Sequence, residues 1–128
     1  MVSRFRPLSP HLSVYKLPVT AWLSITHRIT GVLLLMGLTL FTWLLISLHW
    51  TSGQLWGLLD SWIGVLLVKV VIGGCVAALC YHYYNGIRHL FWDCGIGFGK
   101  SEATFSGWLM LGFAVTSLIG LGFIGFFS

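Results

Sequence analysis

The chain has 128 residues, 57% of them hydrophobic and only 8% charged, with a formal net charge of +4. Soluble domains carry about a quarter charged residues, so too few solvated side chains are present to cover a water-facing surface. A soluble globular domain is excluded, and with it a nucleic-acid-binding reading of the positive charge; this is the composition of an integral membrane protein.

The first 20 residues form a preface that holds all three prolines, Pro7, Pro10 and Pro18, together with Arg4, Arg6 and Lys16. A secretory signal would bring a short apolar core soon after its charges and then a small-residue cleavage site. Here the apolar run begins only past residue 20 and is long enough to span, so the preface is expected to lie on the membrane surface before an uncleaved first helix.

Crossing about 30 Å of hydrocarbon takes about 20 apolar residues in helix. Residues 29–48, 62–81 and 105–127 meet that length, with Lys69 as their only charge. A transmembrane β-barrel would show short alternating segments instead. The sequence predicts an all-α membrane protein of one domain, 1–128, with transmembrane helices over about residues 21–49, 60–92 and 104–127. Arg4, Arg6, Lys16 and Arg28 precede the first helix, Arg88 and Lys100 lie between the second and third, and the first loop has only Asp60. By the excess of lysine and arginine in cytoplasmic segments, the N-terminus and second loop face the cytoplasm or a mitochondrial matrix. Arg88, Asp93 and Lys100 read as interfacial charges, and Lys69 as a side chain that snorkels to the outer surface.

Helix one enters through "SITHRITG", residues 24–31, where Ser24, His27, Arg28 and Gly31 share a face at i, i+3, i+4 and i+7. Helix two ends in "YHYYNGIRHLFWD", residues 81–93, where His82, Asn85 and His89 share another face beside Gly86. Antiparallel helices place both polar faces in the same leaflet, with His82 about 10 Å deeper than His89. Ionisable groups inside a span mark a functional position by default. Neutral imidazole is a standard axial ligand for haem iron, and His82 lies deep enough for that role, with His27, Arg28 and His89 placed for the propionates. Read alone, His82 equally suits a hydrogen bond to a neighbouring helix. A small transporter subunit would show inverted repeats or broken helices, and neither is present.

Helix three offers no polar cluster. Gly112, Thr116 and Gly120 recur every four residues, a small-xxx-small ladder for close packing. Cys75, Cys80 and Cys94 give neither a CxxC pair nor a zinc spacing and read as small hydrophobes. Three helices enclose a cofactor poorly, so an obligate partner chain is expected.

Together "RPLSPHLSVYK" (6–16), "SITHRITG" (24–31) and "YHYYNGIRHLFWD" (81–93) resemble the cytochrome b membrane-anchor subunits of succinate dehydrogenase, over nearly the whole chain. The resemblance implies a helical bundle completed by a second, smaller anchor subunit that shares one haem b. It places His82 as the haem-iron ligand, His27, Arg28 and His89 around the propionates, and Ser24 and Arg28 at the quinone. A flavoprotein subunit would oxidise succinate and an iron–sulfur subunit pass electrons to ubiquinone, with no catalysis by this chain alone. A haem-free anchor of a quinol:fumarate reductase is the related alternative. The expected location is a bacterial inner membrane, or a mitochondrial inner membrane.

Overall fold

The computed structural model describes residues 16–50, 57 and 59–127, the side chains of 126 and 127 excepted. Three long helices make up nearly all of it: α1 (Val19–Trp50), α2 (Trp62–Asp93) and α3 (Lys100–Phe127). Each is long and apolar enough to cross a membrane. Residues 1–15 of the preface, with His11, and Trp56 of the first loop lie outside the described residues.

Local chemistry sets the helix ends. Pro18 precedes α1, and its carbonyl takes the N–H groups of Ala21 (3.0 Å) and Trp22 (3.3 Å). At the head of α2, the Ser61 hydroxyl accepts from Gly64 N at 3.1 Å, satisfying one orphan donor of the first turn. The far end of α2 closes as a Schellman motif: Ile96 N donates to Phe91 O (3.0 Å) and Gly95 N to Trp92 O (2.8 Å). Gly95 has φ +80°, a conformation that the missing Cβ makes cheap.

Helix α3 begins at Lys100, before the position 104 expected from hydropathy. The reason is a polar first turn that a hydropathy reading passes over: Glu102 accepts from Gly99 N at 3.3 Å, and Ala103 N bonds Gly99 O at 2.8 Å.

α2 is the middle element and packs against both neighbours, while α1 and α3 touch less. The buried side chains Leu23, Cys80, Asn85, Arg88, Met110 and Ala114 gather toward the end where α1 starts, α2 stops and α3 starts. Close approach there uses Gly107, where an added Cβ would lie 2.6 Å from Leu23 Cδ1. The expected ladder Gly112, Thr116 and Gly120 does not serve this bundle. All three are exposed, and a Cβ on either glycine would meet nothing within 4 Å. The register of α3 is set instead by side chains that bond to α2, and these turn the ladder away from it. All three cysteines are free, with Cys80 buried and Cys94 exposed.

Candidate functional site

α2 is fastened to α1 through the backbone carbonyls of two successive turns. Leu23 O accepts from Asn85 Nδ2 at 2.8 Å and from the Tyr81 hydroxyl at 3.1 Å. Tyr81 also pairs with the Thr26 hydroxyl. One turn on, His27 O lies 3.1 Å from His82 Nδ1 and accepts from Thr30 Oγ1 at 2.9 Å. A carbonyl can only accept, so the contact with His82 requires a proton on Nδ1, and in the neutral imidazole this puts the lone pair on Nε2. That nitrogen makes no hydrogen bond to a described residue.

The imidazoles form a stack. His27 and His82 lie nearly parallel, centroids 4.0 Å apart with 14° between planes, and His89 follows 5.0 Å from His27. His89 in turn meets Trp92 edge-on at 5.1 Å. Two glycines lie beside the rings, and only Gly31 is in tight approach. A Cβ on Gly31 would come within 3.0 Å of His82 Cε1, and one on Gly86 within 3.8 Å of His27 Cε1. Among the described residues, His27 Nδ1 is the only buried side-chain polar atom without a hydrogen-bond partner. Such orphans are rare, and this one is open to a partner that the described residues do not supply.

Of the residues expected from sequence, the fold brings His27, His82 and His89 together. Ser24 is half-exposed and Arg28 exposed on the same α1 turns, and neither hydrogen-bonds to the histidines. Both lie on the α1 turns that carry His27 and keep solvent-accessible surface there.

Arg88 is a correction. Counted in the sequence with the polar residues gathered at one boundary but read as an interfacial charge, it is only 4% exposed and clamps α3. Its Nε donates to Ser106 Oγ (3.1 Å), Nη2 to Ala103 O (2.9 Å) and Nη1 to the wholly buried Asn85 (3.3 Å). Its guanidinium also lies 4.1 Å from the Trp92 ring centroid. Helix α3 therefore does take part in the polar network, through Ser106 and through Ser117, whose hydroxyl lies 2.7 Å from that of Tyr84. A signal was available for Arg88, since it follows Asn85 at i+3; its partners on α3 were not legible in any spacing.

The sequence profile of the succinate dehydrogenase/fumarate reductase transmembrane subunits matches residues 3–121. The chain belongs to this family. It is 39% identical over 106 residues to the succinate dehydrogenase cytochrome b556 subunit of Rickettsia felis, covering 83% of this chain and 82% of the relative. The corresponding subunit of Paracoccus denitrificans is 42% identical over 102 residues, 77% of this chain and 75% of the other. The mitochondrial succinate dehydrogenase cytochrome b560 subunit of Sus scrofa is 38% identical over 117 residues, 91% and 69% of the two chains. As a member of the succinate dehydrogenase/fumarate reductase transmembrane subunits, this protein is a membrane-spanning, non-catalytic subunit in respiratory electron transport, as the resemblance of its motifs implied.

Proposed function

We propose that the protein anchors a succinate dehydrogenase in the membrane, holds haem b through His82 and borders the ubiquinone-reducing site with Ser24 and Arg28. The observation that carries this is the state of the histidine cluster: His82 has Nδ1 tied to α1 and Nε2 free, next to the orphaned His27 Nδ1. Both features fit a haem. Neutral imidazole with a lone pair on Nε2 is the form that ligates iron, and its other nitrogen is held by a backbone carbonyl, as ligating histidines usually are. The His27 Nδ1–H would find its acceptor in a propionate, with His89 and Arg28 supplying further donors at the same end. Bound there, haem b supplies a one-electron carrier.

The remaining roles belong to this chain's own side chains. Ser24 donates a hydrogen bond to a quinone carbonyl, while Arg28 stabilises negative charge developing on quinone oxygen. Both keep exposed surface near the start of α1, where quinone would come from the lipid and an iron–sulfur subunit from the water. A flavoprotein subunit and a second, smaller anchor complete the assembly, and that anchor would help to hold the haem. The N-terminus faces the cytoplasm of a bacterial inner membrane, in keeping with the bacterial relatives and with the basic residues flanking the first helix. The buried polar groups gather at one end of the bundle, and this favours an electron-transfer anchor over a transport path that would cross it.

The test is a dithionite-reduced minus oxidised spectrum of membranes carrying the whole complex, beside the same complex with His82→Ala. A b-type α-band that is lost or shifted in the variant is the expected result. No band in the parent, with succinate–quinone activity intact, would replace this reading with a haem-free anchor.

A further inference from the structure

Thr30 holds two contacts at once. Its hydroxyl donates to His27 O at 2.9 Å, and its oxygen lies 3.2 Å from His82 Nδ1. With the threonine proton committed to the carbonyl, Oγ1 turns lone pairs toward Nδ1. The single Nδ1–H of His82 is thus shared between two acceptors, His27 O at 3.1 Å and Thr30 Oγ1. Most threonines of the bundle behave otherwise. Thr39, Thr42, Thr104 and Thr116 are exposed and bond only to carbonyls of their own helix, the usual habit of threonine in a span. Thr30 is half-buried and reaches across to α2.

We propose that Thr30 is a positioning residue for His82, the second acceptor of its Nδ1–H, which holds the ring against Gly31 and raises the basicity of Nε2. This rests on His82 being the haem ligand. Acceptors behind a ligating imidazole push electron density toward the metal and orient the ring. A more basic ligand favours ferric over ferrous iron, and second-shell hydrogen bonding is among the protein's controls over haem potential.

The experiment is a redox titration of the b-type band in membranes holding the complete complex, for the parent, Thr30→Val, Thr30→Ser and Thr42→Val. Valine keeps the β-branch and volume but removes the acceptor; serine keeps the hydroxyl and loses only the methyl. The expected result is an upward shift of the midpoint in Thr30→Val, with Thr30→Ser and Thr42→Val at the parent value. A Thr30→Val midpoint equal to or below the parent's overturns the proposal, as does a Thr30→Ser shift as large as the valine's. Should Thr30→Val assemble all subunits yet lose its haem, retention by Thr30→Ser supports the proposal and loss in both overturns it. A parent without a b-type band would instead overturn the haem reading on which this one stands.

Discussion

Arg88 is the only buried cation among the described residues, and its position within a span makes it expensive. An arginine at the centre of a membrane helix costs about 3 kcal/mol on insertion scales, and Arg88, five residues from the end of α2, costs less than that. Two hydrogen bonds to α3, each about 0.6–1.7 kcal/mol across membrane helices, a third to Asn85 within α2, and a cation–π contact of about 0.5–2 kcal/mol offset that cost. The balance requires Asn85, which joins the Leu23 carbonyl of α1 to the guanidinium on α2. Asn85→Leu leaves Arg88 Nη1 without its acceptor, so it is expected to lower stability by about 1–3 kcal/mol, read by denaturation in mixed micelles. An unchanged midpoint would mean that the network is not under load. Arg88→Lys should not restore the clamp, because an ammonium cannot reproduce the fork of three donors; its melting temperature should fall below the parent's.

The three spans and the two polar faces of α1 and α2 were legible in the sequence, for a plain reason. Length of apolar run and spacing of polar residues are properties of one helix at a time. Everything requiring two helices in register was less accessible. The Gly112, Thr116 and Gly120 ladder has the spacing of a packing face, yet Gly107, outside that pattern, meets Leu23. No sequence signal separates the two, since only the orientation of α3 about its axis decides which glycine faces inward. Gly107→Val should therefore push α3 off Leu23 and shorten the lifetime of the complex in detergent. Gly112→Ala should be neutral within this chain or stabilise it by about 0.5–1 kcal/mol through helix propensity. Equal damage from both would contradict the observed register. The histidines were legible because imidazole is conspicuous in an apolar helix. Thr30 was not, because threonine in such a helix is commonplace and its reach toward His82 exists only once α1 and α2 pack.

The bundle as a whole is held unevenly. Its buried side chains and its polar network lie toward one end, whereas the other halves of α1 and α2 flank an apolar groove of about 520 Å³ lined by residues such as Leu34, Phe41, Leu67 and Val71. Local stability follows buried contacts and protected hydrogen bonds. In detergent, amide exchange should be faster over residues 40–48 and 62–70 than over 23–27 and 82–88; uniform exchange along both helices would rule this out. The spacing of the network's partners along the chain carries a consequence for how the molecule comes together. Arg88 bonds Ser106 and Ala103 across 18 and 15 residues, within the hairpin of α2 and α3. Asn85 and His82 reach α1 across 62 and 55 residues. Short closures cost less chain entropy than long ones, so the second and third helices can clasp one another before the first joins them. The helix of the three that is synthesised before the other two can then be the last to be incorporated, and the stack of His27 on His82 needs that step.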